Sequence, residues 1–270
     1  MSNRVVEDKY TSIIDAVGYW LGYQFKIGRE QLIHEASLRY PIADTITAKG
    51  ISVNRIILEK LHPLFKSKKI DLVIFDETVD EPATENDDTK LKEVYEFKLA
   101  KSDMAKEQSD EHQRIFDDVV RLGYYNKWGK KECYFLMCGR YEEFKTYFVG
   151  QERVMKNEAG KNIVPVRRKA KQENLAQQIL DDPWKPDGLY KDWFGFKIGE
   201  SKTIEFTINQ SMPTGTWGLK RFQEEYKIRN EDKHFFSNSI KITTTCLAIT
   251  PPGEKNRTHA AGIWKVESIN

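Results

Sequence analysis

Glu96 and Lys98 stand two residues apart, and residues with that spacing on a β-strand share one face. Their segment, KEVYEFKLA, alternates Tyr95, Phe97 and Leu99 against Glu96 and Lys98, which predicts a strand with one polar face. Upstream, KKIDLVIFD at residues 68–76 predicts a short apolar strand headed by Asp71. Val73 and Phe75 lie on one of its faces, Leu72 and Ile74 on the other. Antiparallel pairing would set Asp71 beside Glu96 and Lys98, so that two carboxylates meet one ammonium. Hard oxygen ligands of this kind suit Mg²⁺, with Mn²⁺ as its substitute, because Mg²⁺ keeps several waters and bridges to phosphate. Such an ion stabilises charge on phosphate oxygens and acidifies a bound water, while Lys98 orients that water or neutralises the transition state. This is the chemistry of phosphodiester hydrolysis.

The tripeptide alone carries little, since Glu-x-Lys begins at Glu7, Glu96, Glu143, Glu200, Glu225 and Glu231. Only Glu96 sits in an alternating strand that follows an aspartate-headed apolar strand and precedes an amphipathic helical pattern. Glu96 and Lys98 also read as a solvated same-face ion pair of small energetic weight. A rival pair, Glu143 and Lys145, follows the strand at ECYFLMCG directly and reads equally as a turn and helix start. His34 beside Glu35 suggests a zinc-protease helix, but Leu38 occupies the position one turn on where a second imidazole is needed.

Asp71, then Glu96, Phe97 and Lys98 on the next strand, framed by flanking helices, resembles the PD-(D/E)XK restriction-endonuclease-like superfamily over roughly residues 28–140. Ile70 stands where the family name has proline. The resemblance implies an α/β fold with a restriction-endonuclease-like core, a central mixed β-sheet flanked by helices. It implies Asp71 and Glu96 as metal ligands, the Phe97 carbonyl as a further ligand, and Lys98 as the catalytic lysine. It also implies a helix glutamate, for which Glu35 is the candidate, with Gln113 on the following helix as another. DNA is the substrate that the resemblance implies.

Helical spacing is predicted over residues 3–22 and from Arg29 to Tyr40, where Pro41 stops the helix. A third helix is predicted from about Val53 to Phe65, carrying Ile56, Ile57, Leu61 and Leu64. The acidic stretch from Glu77 to about Thr89 joins the two strands as a long hairpin loop, since it lacks the spacing of a calcium loop. Residues 105–123 predict a helix and 132–139 a third strand. Residues 1–149 then form a helical N-terminus and nuclease-like core, and 150–202 an insertion or small lobe. Residues 203–270 supply strands at 203–209, 240–250 and 259–267 that extend the core sheet. Arg167, Arg168, Lys169 and Lys171 form a basic run that reads as a phosphate contact or a solvated face. Trp184, Trp193, Trp217 and Trp264 read as packing.

The net charge of +2 is the difference between 43 basic and 41 acidic side chains, so bulk charge neither demands nor excludes a nucleic-acid partner. Cys133, Cys138 and Cys246 contain no CxxC pair, which argues against a disulfide framework or a cysteine zinc site. The opening MSNRVVEDKY lacks signal-peptide order, and no stretch approaches the ~18 apolar residues of a membrane span, so a cytoplasmic chain without a membrane partner is expected. Three readings stay open: a Mg²⁺-dependent nuclease, a catalytically inactive nucleic-acid-binding or interaction protein of the same fold, and a hydrolase of small phosphoesters in a closed pocket. A homodimer is compatible with each.

Overall fold

The computed structural model describes residues 2–65, 68–79, 88–100, 108–149, 155–156, 162–163, 188–207, 239–252 and 258–269. The first helix, α1 (Ser2–Lys26), buries Tyr10, Ile13, Ile14, Val17 and Leu21, the stripe that a 3.6-residue period lays along one face. The helix expected from Arg29 to Tyr40 is instead two 3-10 turns, Glu30–Leu32 and Glu35–Leu38, followed by α2 (Arg39–Ala48). Pro41 lies in the first turn of α2, where a missing N–H costs nothing, so it opens this helix rather than closing one.

The helix expected over 53–65 is a 3-10 turn at Val53–Arg55 and a strand, β1 (Ile56–Leu61). β-Branched Ile56 and Ile57 favour extended backbone. The alternation of Ile56 and Leu58 against Ile57 packs the strand on both sheet faces. β2 (Lys69–Phe75) and β3 (Leu91–Ala100) form the expected antiparallel hairpin, in register from Leu72↔Tyr95 to Phe75↔Leu91. α3 (Gln108–Gly129) then crosses over to β4 (Glu132–Arg140), which pairs parallel to β3, as a parallel pair requires.

A helical turn at Tyr141–Glu143 runs into a π-helical segment at Phe144–Val149, and β5 (Met155–Lys156) pairs with β6 (Asn162–Ile163) in a small ribbon. β7 (Ser201–Thr207), β8 (Ser239–Ile249) and β9 (His259–Ile269) complete a mixed seven-stranded sheet of order β1-β2-β3-β4-β9-β8-β7. The C-terminal strands therefore extend the core sheet, as expected. Part of the expected insertion belongs to that core: Tyr190, Trp193, Phe194 and Phe196 are buried, and Trp193 packs on Phe116 of α3 at 3.9 Å between ring centroids. Trp264 is buried with them, whereas Trp184, Trp217 and the basic run 167–171 lie outside the described residues.

Helices cover both sides of the sheet. α1 and α2 lie on Leu72, Ile74, Tyr95, Phe97 and Leu136, and α3 lies on Val73, Phe75, Val94, Phe135 and Met137. The two alternating sets read from β2 and β3 are thus sorted onto opposite layers. No described helix is long and apolar enough to cross a membrane.

Candidate active site

Continuing the β2–β3 register one step past Leu72↔Tyr95 sets Asp71 opposite Glu96, on the α3 side of the sheet. Here the backbone ladder gives way to side chains. The Phe97 amide donates to Asp71 Oδ2 at 2.9 Å, and Asp71 and Glu96 share a side-chain hydrogen bond. Asp71 is 6 % exposed and Glu96 4 %, so the two carboxyl groups meet out of water. Burial pushes the Glu96 carboxyl well above the usual carboxylate range. The neighbouring Asp71 charge adds to the rise, and Arg121 and Lys98 oppose it. Burial therefore favours the protonated form of Glu96, which can donate to Asp71.

Cations flank the pair. On one side, Arg39 at the start of α2 donates Nε and Nη2 to Asp71 Oδ1 at 3.1 and 2.5 Å, and Nη1 to Glu59 Oε1 at 2.5 Å. Glu59 also accepts from Lys69 at 3.0 Å and adopts φ +56°, a left-handed conformation that a non-glycine strand residue rarely takes. The Lys69 hydrogen bond and the Arg39 charge hold the Glu59 carboxyl below its ordinary value. On the other side, Arg121 Nη2 lies 3.8 Å from Glu96 Oε1 and also contacts Asp118. Lys98 Nζ stands 2.9 Å from Asp118 Oδ2 and 2.8 Å from Glu35 Oε1, with 12 % of its side chain exposed.

Charges thus alternate along most of one connected line. It runs through Glu59, Arg39, Asp71, Glu96, Arg121, Asp118, Lys98 and Glu35, with the proton-sharing carboxyl pair at its centre. Asp71, Glu96 and Lys98 are brought together as expected. Glu35 joins them from a 3-10 turn rather than a helix, and it meets Lys98, not the carboxyl pair. Phe97 contributes its N–H to Asp71, while its ring packs under α1 and α2. The side chain of Gln113 lies outside the described residues. His34 is exposed and caps the start of the 3-10 turn at Glu35–Leu38. Of the acidic loop, Asp76 caps Thr78 and Asp88 pairs with the buried Lys60 at 2.6 Å.

Arg39, Asp118 and Arg121 were missing from the sequence-based set. Asp118 and Arg121 had a signal: they interrupt Ile115, Phe116, Val119, Val120 and Leu122, and α3 buries them with those apolar neighbours. A charge embedded in such a pattern is buried with a partner or not at all. Arg39 lacked any such signal, because its partner is 32 residues away in sequence.

By ligand chemistry alone, two carboxyl groups side by side are the kind of donors that a Mg²⁺-like ion takes. Among the described residues no three His, Cys, Asp or Glu side chains gather around one point. The Asp71–Glu96 pair offers two hard oxygens groups, and Mg²⁺ is commonly bound by one or two carboxylates plus waters and phosphate. A cation bound there would offset both the burial and the Asp71 charge that raise the Glu96 carboxyl. No protein-family model matches the chain, and no curated protein and no solved structure matches it, so the site has to be read from its own geometry.

Proposed function

We propose that the chain is a Mg²⁺-dependent nuclease with a restriction-endonuclease-like core, hydrolysing phosphodiester bonds of DNA as an endonuclease. One observation carries this reading: Asp71 and Glu96 touch across neighbouring antiparallel strands, with Lys98 two residues along on the same face. Asp71, Glu96 and the Phe97 carbonyl would hold the ion. Bound there, it would supply Lewis acidity and a water of lowered pKa. Lys98 brings positive charge to the phosphate or its attacking water, and Asp118 and Glu35 fix the direction of its ammonium. Arg121 balances the charge that Glu96 gains on losing its proton. Three free, buried cysteines fit a reducing compartment such as the cytoplasm.

The test is nicking of supercoiled plasmid with Mg²⁺ or Mn²⁺, beside the Lys98→Ala protein. A second reading has its own support. Both oxygens of Asp71 already accept from protein donors, Arg39 and Phe97, as in a charge network kept for structure in a non-catalytic nucleic-acid-binding protein. Mn²⁺ titration separates the two, since only the nuclease reading requires an ion that the Glu96→Gln protein fails to bind.

A further inference from the structure

A cavity of about 650 Å³ opens on the opposite side of the sheet from the carboxyl pair, between α1 and the sheet end where β4 finishes and β9 begins. That volume lies within the range of small-ligand sites. Its walls come from sequence features that the candidate active site does not use. Gly18 and Gly22 let α1 approach β9 closely: a Cβ at Gly22 would lie 3.3 Å from Thr258 Oγ1. Tyr23, 59 % exposed, and Phe25 supply aromatic surface, and the Phe25 ring sits 4.7 Å from that of His259. Arg140 places its guanidinium 4.6 Å from the Phe25 centroid, and Lys26 is exposed at the end of α1. His259, buried away from water and close to Arg140, has its imidazole pushed down to about 4, so it presents a neutral ring. The formal charge of the lining is therefore that of two cations, Lys26 and Arg140.

One strap ties this cavity to the candidate active site. Glu30 pairs with Arg140 and Glu35 pairs with Lys98, so the two contacts leave a single segment five residues apart. Five residues span at most about 18 Å between Glu30 and Glu35, a length comparable with roughly five stacked nucleotides at 3.4 Å each. Aromatic surface with adjacent cations is the chemistry that holds unpaired bases and their phosphates.

Resting on the nuclease reading above, we infer that this cavity is a subsite for an unpaired nucleotide of the substrate. The base lies against Tyr23 and Phe25, and the phosphate lies on Lys26 and on Arg140 released from Glu30. The enzyme then prefers single-stranded or splayed DNA close to the cut. Glu30 competes with the phosphate, so removing its charge strengthens binding.

The test is fluorescence anisotropy of a labelled oligo-dT and of a duplex of equal length, with the full chain in EDTA so that no cleavage occurs. Tyr23→Ala should weaken oligo-dT binding about fivefold or more, the lower end of one lost base–aromatic stack. Arg140→Ala should weaken it comparably, Glu30→Gln should tighten it two- to fivefold, and duplex binding should change less than twofold. Melting temperatures check that the exposed substitutions leave the fold intact. No oligo-dT binding by the parent, parental binding by both weakened variants, or equal losses on duplex would each overturn the subsite. Cleavage of plasmid with Mg²⁺ is scored separately. Absent cleavage with the binding pattern intact removes the nuclease reading alone, and cleavage with unaltered binding removes the subsite alone.

Discussion

Arg39 grips Asp71 Oδ1 with two nitrogens, Nε and Nη2, and with its third, Nη1, it holds Glu59. This fork is the described guanidinium on the β1 side of the carboxyl pair, and its side chain is 15 % exposed. The fork occupies Asp71 Oδ1, so on the nuclease reading Arg39 would supply part of the positive charge that a bound ion would otherwise bring.

Replacing Arg39 with alanine is therefore expected to destabilise the metal-free protein by about 3 kcal/mol, the low end for removing one partner of a buried pair. Mn²⁺ should raise the melting temperature of the variant more than that of the parent, because the ion replaces a charge that only the variant lacks. Equal shifts, or a variant as stable as the parent in EDTA, would count against this role.

Glu96 gives a prediction of opposite sign. Its folded carboxyl titrates well above its unfolded value, so the native state holds the extra proton between those two pH values. Stability of the metal-free protein through Glu96 is then fully present below about pH 4.5 and declines as pH rises toward the folded value. Glu96→Gln, which fixes the neutral form, should melt higher than the parent at neutral pH in EDTA, with the advantage fading near pH 4.5. The same substitution should abolish Mn²⁺ binding. Thermal melts over pH and a calorimetric titration check the two halves, and a variant less stable than the parent at neutral pH would refute the shared proton.

The strand pair was legible because alternation fixes faces directly: Glu96 and Lys98 must project together, and the register brings Asp71 to them. The helix forecast over 53–65 failed because Ile56, Ile57, Leu61 and Leu64 also satisfy a helical period. What decides between the periods is the partner strand: Ile57 faces Val73, a contact that exists only after β1 folds onto β2. The line of charges through the carboxyl pair was similarly hidden. Lys98 and Asp118 belong to different elements, and the parallel crossover through α3 is what makes them neighbours.

His259, on the other side of the sheet from the carboxyl pair, supplies a second pH signature. Its folded pKa of about 4 lies below the usual 6.5 because burial and the nearby Arg140 disfavour the charged ring. The unfolded chain takes up this proton first as pH falls, so stability present above pH 6.5 is lost between 6.5 and about 4. The loss is on the order of 3 kcal/mol at 1.36 kcal/mol per unit. His259→Asn should flatten that part of the stability profile, read as the difference between parent and variant denaturation curves at pH 7 and pH 4.5. An unchanged difference at the two pH values would show that the ring is not held neutral.

Whether the carboxyl pair and Lys98 together cut phosphodiester bonds is decided by one assay. It is the initial rate of supercoiled-plasmid nicking with Mn²⁺ or Mg²⁺ by the parent and by Lys98→Ala, with melting temperature and DNA affinity measured on the same preparations. Arg121 still contacts Asp118 when Lys98 is gone, so the variant should stay folded. Its rate should fall by on the order of 10² to 10³, as when one charge-stabilising donor is removed, with DNA affinity changed only modestly because many phosphate contacts share it. No nicking by the parent with either ion, or undiminished nicking by Lys98→Ala, would rule out this catalytic role.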